Sequence, residues 1–239
     1  MTTVELETTS VGKIVAEQPD VARIFEKHKM DYCCQGATTL ADACTRKKVD
    51  AAAVIDEIRQ VINKKNPTNE SDWTRASLTE LVQHIVGTHH GFLQTELPRI
   101  SALIAKVNRV HGDKHPEFAK VLSTFELMRG ELESHMAKEE RILFPAVEAM
   151  ETWQAVGDLP FGSVANPIGM MEHEHDEVGN ALQRLRDLTN DFTPPAEACT
   201  TWRVMLEALE NLEQDLHRHI HKENSILFPR AIELESRLR

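Results

Sequence analysis

The sequence predicts an all-α protein: an up-down-up-down four-helix bundle preceded by a small helical domain that contains adjacent cysteines. Three observations lead there. Stretches rich in Leu, Ala, Glu, Lys and Met, all strong helix formers, dominate the chain, while strand-like alternation of Val, Ile and Thr is nearly absent and aromatics make up only 5%. Four long helical segments, roughly 77–110, 116–150, 166–191 and 195–237, are separated by "HGDKHP", "VGDLPFGSVANP" and "NDFTPPAE", whose Gly and Pro mark breaks. Four helices joined mostly by short connections pack as antiparallel neighbours. The third observation is an internal repeat in the second and fourth of these helices, taken up below.

Before the bundle, residues 1–63 read as short helices: "VGKIVAEQ", "DVARIFEKHK", "TLADACTRKK" and "DAAAVIDEIRQVINK". Asp20 and Thr38 or Thr39 suit N-caps, and Gly36 suits a turn after the cysteines. A polar, proline-containing stretch without apolar period follows, so 64–75 reads as a linker and 76–239 as the bundle. The formal charge of −11 argues against nucleic acid and against an anionic membrane surface. No apolar run approaches the ~18 residues of a membrane span, and the N-terminus lacks the basic and apolar regions of a secretory signal. Four cysteines in 239 residues are not a disulfide framework, and the expected location is cytoplasmic.

The repeat pairs "HMAKEERILFP" (135–145) with "HIHKENSILFP" (219–229). Each copy sets His and Glu four residues apart, His135/Glu139 and His219/Glu223, which places both side chains on one helix face. Leu143 and Leu227 continue that face, so it points into the bundle, where unpartnered polar groups are costly. A single copy could be a surface i,i+4 pair; two copies in one apolar frame point to metal ligands. Counting from the turns brings His90 level with His135, and His175 level with Glu139. His90 and His135 are 45 residues apart, His175 and His219 44, so two helix hairpins supply matching donor sets. Four imidazoles with two bridging carboxylates would hold two metal ions, each with two N and two O donors, and an oxo or hydroxo bridge would add a fifth. Mixed His/carboxylate ligation with open positions suits non-haem iron better than a closed zinc site.

The other histidines fail this face test. His173, His217 and His221 fall on the far side from their neighbours, and His84 and His89 lie well round from His90, so these read as surface or outer residues. Glu131 and Glu174 are candidates for outer-shell carboxylates, and Pro145 and Pro229 should kink or end a helix just past the site. Cys33 and Cys34 are expected to be thiols: adjacent α-carbons lie about 3.8 Å apart, below the roughly 4.4–6.8 Å of an unstrained disulfide. They are free to bind metal, exchange disulfides or be oxidised. Cys44 and Cys199 read as structural.

These residues resemble a known family. The four-helix part is similar to hemerythrin-like domains, and its combination with "DYCC" resembles the RIC (repair of iron centres; YtfE/ScdA/DnrN) family. The likeness covers nearly the whole chain, including "SHMAKEE", "ILFP", "MEHEHDE", "PPAEACTTW" and "HKENSILFPRA". By matching motif, the family's di-iron ligands fall on His90, His135, Glu139, His175, His219 and Glu223, and its paired cysteines on Cys33 and Cys34. Gln35 departs from the family motif, which commonly has Gly there. The resemblance implies a di-iron protein that repairs iron–sulfur clusters damaged by nitric oxide or oxidants, with damaged iron–sulfur proteins as partners, NO or O2 as diatomic ligands, and Cys33/Cys34 as a docking or transfer pair. Two rival functions stay open at this point: an NO-reducing enzyme, for which the sequence carries no flavin or nicotinamide fingerprint, and a module that binds O2 or NO as a sensor. Whether the protein is an enzyme, and whether it forms a homodimer, the sequence leaves undecided.

Overall fold

A computed structural model describes residues 3–63, 72–157 and 159–239; most of the expected linker, 64–71, lies outside the described residues. All regular structure among the described residues is helical. The chain forms two compact units, Met1–Leu81 together with His217–Arg239, and Val82–Leu216.

In the first unit, α1 (Thr3–Thr8), α2 (Val11–Glu17), α3 (Ala22–Lys27), α4 (Leu40–Lys47) and α5 (Ala51–Asn63) enclose an apolar core that includes Val11, Ile14, Phe25, Leu40, Ile55 and Ile58. α1 was not expected, because six residues are too few to show a helical period. Thr39 caps α4 by accepting from the Asp42 N–H, as expected, whereas Asp20 lies inside the 3-10 turn Pro19–Val21 and caps nothing. Gly36 serves close approach: the Gly12 N–H donates to its carbonyl at 2.9 Å, and a Cβ on Gly36 would stand 2.8 Å from the Tyr32 carbonyl and 3.3 Å from Ser225 Oγ. The Thr38 N–H donates to the Gln35 carbonyl at 2.9 Å, closing this turn. Gln35 is not among the residues of positive φ, so the turn accommodates a side chain where the family motif has glycine.

The bundle helices, of which α6 and α11 also run into the first unit, are continuous through changes of winding. α6 (Leu78–His84) passes through a π turn, Ile85–His90, into α7 (Gly91–His111). α8 (Glu117–Lys138) passes through a π turn, Glu139–Leu143, into α9 (Phe144–Trp153), and α10 (Ala165–Leu188) is unbroken. α11 (Thr200–Lys222) starts five residues later than expected. Asn190, Asp191 and Phe192 all take left-handed φ, which ends α10 at Leu188, and Arg186 pins this corner by holding Asp191 and covering the buried Phe192 ring at 4.9 Å.

Paired contacts give the topology. His90 faces Glu139 while Ser101 donates to Glu126, so the first two bundle helices run antiparallel. His89 pairs with Asp215 while His111 meets Cys199, so the first and fourth are antiparallel too. Their buried ladders step by three and four: Leu93, Leu97, Ile100, Ile104 and Val107 on α7, and Val121, Phe125, Met128 and Leu132 on α8.

Pro145 and Pro229 do not end their helices. Each follows a π turn in which the Phe before it bonds five residues back, Phe144 N–H to the Glu139 carbonyl and Phe228 N–H to the Glu223 carbonyl. The wider turn absorbs the missing proline donor and the ring's clash with the preceding turn.

Two glycine substitutions test this packing by urea denaturation. Gly36→Ala should cost roughly 1–3 kcal/mol, because its new methyl meets backbone. Gly130→Ala, in the interior of α8 with nothing within 4 Å of a Cβ, should gain roughly 0.5–1 kcal/mol.

Candidate metal centre

The ladders of the second unit turn polar where three helices meet. On α7 the spacing that carries Ile100, Leu97 and Leu93 reaches His90; on α8, Met128 and Leu132 lead to His135 and then Glu139; on α10, Leu185, Leu182 and Val178 lead to His175. All four polar side chains are buried, Glu139 completely. Glu139 Oε2 lies 3.4 Å from His90 Nε2, and Oε1 lies 3.4 Å from His135 Nε2. Neither oxygen has a hydrogen-bond partner. His175 Nε2 stands 3.1 Å from His135 Nε2. The candidate ligand atoms of His135, Glu139 and His175 all lie within 4.8 Å of one another.

The outward nitrogens are fixed. His90 Nδ1 donates to Glu140 at 2.8 Å, and His135 Nδ1 donates to Glu174 at 2.8 Å. With its proton on Nδ1, each ring presents a lone pair on Nε2 toward Glu139, the orientation that carboxylate partners impose on metal-binding histidines. Burial pushes the Glu174 carboxyl up, but Lys138 and His135 outweigh it and hold that carboxyl below its ordinary range, as an anion. Convergent lone pairs around a bare, fully buried carboxylate are costly without a cation and match a metal's demands with one. The donor set therefore fits a metal.

His219 and Glu223 belong to the other unit, and there they stand together, Nε2 to Oε1 at 3.0 Å, both buried. Beside them the cysteine segment is anchored: Asn224 Nδ2 donates to the Cys33 carbonyl at 3.2 Å, and buried Tyr32 lies edge-on to His217 and His221. Cys33 and Cys34 are thiols, and Cys34, burial and Asp31 together push the Cys33 thiol well above its usual value.

Several outlying residues take settings that helical spacing left open. His89 is buried and bonded to Asp215 at 2.9 Å, and His221 is buried against Tyr32, with desolvation pulling its pKa down to about 4; neither is a surface histidine. Glu131 is exposed and apart from the cluster, and Cys199 is exposed, with His111 Nε2 at 3.2 Å. Glu140 escaped sequence reasoning because the residue after Glu139 falls about 100° round the helix; the π turn that starts at Glu139 alters that rotation.

An antiparallel helical bundle with buried His/Glu donors in its core defines a hemerythrin-type cation-binding protein. The sequence matches the Hemerythrin HHE cation binding domain over residues 81–231, and a second domain, ScdA_N (Domain of Unknown function, DUF542), over residues 7–62. It is 40% identical over 223 residues, 93% of this chain and 96% of the relative, to the protein named iron-sulfur cluster repair protein YtfE in Citrobacter koseri, and equally so to the proteins of that name in Escherichia coli and Escherichia fergusonii. The chain belongs to the RIC family of iron-centre repair proteins.

Removing an orienting carboxylate should weaken the centre without unfolding it. Glu140→Ala is expected to lower metal affinity about 10–100-fold, with helical content unchanged, as read by competition with a chromophoric chelator.

Proposed function

We propose that this protein repairs iron–sulfur clusters damaged by nitrosative or oxidative stress by supplying iron from a di-iron centre in its bundle. The carrying observation is the bare Glu139 carboxylate, fully buried and faced by imidazole nitrogens of His90 and His135. The name shared by its relatives, iron-sulfur cluster repair protein, supports the same role. The full ligand set is His90, His135, Glu139, His175, His219 and Glu223. Helix spacing supports including the last two: Met205, Leu209, Leu212 and Leu216 descend one buried face of α11 in steps of three and four, and the next steps are His219 and Glu223. Bridged by an oxo or hydroxo group, two irons would supply releasable Fe and open positions for NO or O2.

The protein's own residues divide the work. Glu139 and Glu223 neutralise cationic charge at the centre, while Glu140 and Glu174 fix the tautomers of His90 and His135. Cys33 and Cys34 form the docking or transfer pair facing the client, because soft thiolates suit iron–sulfur partners and the hard His/Glu set holds iron less tenaciously. Asn224 carries this arrangement, since it follows Glu223 directly and grips the Cys33 carbonyl. In functional terms the division is 1–63 for client contact, 64–75 as linker and 76–239 for iron. None of the described helices is long and apolar enough to cross a membrane, and the work proposed is that of a cytoplasmic protein.

The test is recovery of aconitase inactivated by an NO donor, with the iron-loaded chain as the only added iron source. Wild type should restore activity, Glu139→Ala/Glu223→Ala should fail, and Cys33→Ser/Cys34→Ser should slow recovery about tenfold or more, the scale on which outer partners of metal sites act. Equal recovery with the glutamate variant would overturn the iron-supply role; equal recovery with the cysteine variant would remove the thiols from it.

A further inference from the structure

The loop Asp31–Cys34 holds three donors in an arrangement that its packing role does not require. Asp31 Oδ1 accepts from the Cys33 N–H at 3.1 Å, from the Cys34 N–H at 2.9 Å and from Cys33 Sγ at 3.3 Å. The two sulfurs are 3.7 Å apart. One ligand atom from each of Asp31, Cys33 and Cys34 lies within 4.8 Å of the other two.

We propose that Asp31, Cys33 and Cys34 form a second metal site, an S2O chelate for a thiophilic divalent cation. The edge lengths carry the argument. Thiolates bound at about 2.3 Å on a tetrahedral ion stand about 3.8 Å apart, and a thiolate and a carboxylate oxygen at about 2.0–2.2 Å stand about 3.5 Å apart. The observed 3.7 and 3.3 Å are close to two edges of such a tetrahedron.

The loop is also held for the task. Tyr32, between Asp31 and Cys33, is buried, with its hydroxyl donating to Glu26 at 3.0 Å, and the Cys33 carbonyl is fixed by Asn224. A pre-set triad loses little freedom on binding. Cys33 is buried while Cys34 is half-buried, so the cation enters from the Cys34 side. On binding, both thiols release their protons to solvent and the sulfurs bond the cation as thiolates. Three protein donors leave a tetrahedral ion one open position, where a ligand from another molecule can attach. This site uses the same two thiols that the proposed function assigns to docking or transfer, and adds Asp31 and a bound cation to them; the cobalt titration reads it without any repair assay.

The test is anaerobic titration of the full chain with Co2+, read as the difference between wild type and Cys33→Ser/Cys34→Ser, which removes whatever the bundle binds. The expected difference spectrum has a thiolate-to-cobalt charge-transfer band and intense tetrahedral d–d bands saturating at one equivalent. Asp31→Asn should weaken this binding by about tenfold or more, no less than loss of an outer-shell partner costs, and Asp31→Glu should restore part of it. Circular dichroism establishes that each variant is folded. A wild type without the charge-transfer band overturns the site whatever the variants do, and a folded Asp31→Asn that titrates like wild type removes Asp31 from it.

Discussion

Glu139 sits at 0% exposure with each carboxylate oxygen 3.4 Å from an imidazole nitrogen, and much of the molecule is arranged around keeping it there. Removing an ionised carboxylate from water costs several kcal/mol even after the protein relaxes, and His–carboxylate separations of 3.4 Å recover only part of that. The bundle tolerates the cost because the ladders running away from the centre are apolar from Leu93 to Val107 on one helix and, apart from buried Thr124, from Leu132 back to Val121 on the next. A cation between these donors turns the penalty into binding energy, so metal affinity and stability are linked through the same residues.

The π turns belong to the same arrangement. Among the described residues three occur, ending at His90 or starting at Glu139 and Glu223. Widening the helix by one residue per turn changes which side chains face inward, and such bulges gather at functional sites. In two of them the geometry also accommodates a proline immediately after the turn, Pro145 and Pro229. The repeated "ILFP" is thus a local device that lets a helix carry an inward glutamate and then resume regular winding.

The buried cluster of His90, His135, Glu139 and His175 was legible in the sequence because its residues occupy core-ladder positions. His90, His135 and His175 interrupt apolar series at the spacing of Leu and Ile, and the duplicated His/Glu pairs made chance an inadequate explanation. What periodicity could not supply were contacts between helices that depend on local winding or on loops. Glu140 reaches His90 beside a π turn, and Asp215 reaches His89 from 126 residues away. Pro145 and Pro229 were expected to kink or end their helices, and the choice between the two could not be read from sequence because it depends on the π winding before each proline. The prolines of "NDFTPPAE" announced a break there, but not that left-handed Asn190, Asp191 and Phe192 would end α10 at Leu188, since none of the three is glycine.

The measurement that bears most directly on the central claim is metal content by elemental analysis, joined to Mössbauer spectroscopy of protein grown on iron-57. Wild type is predicted to hold two antiferromagnetically coupled irons per chain, lost when Glu139 and Glu223 are both replaced by Ala. One zinc per chain, or no metal, would contradict the di-iron centre and every function built on it.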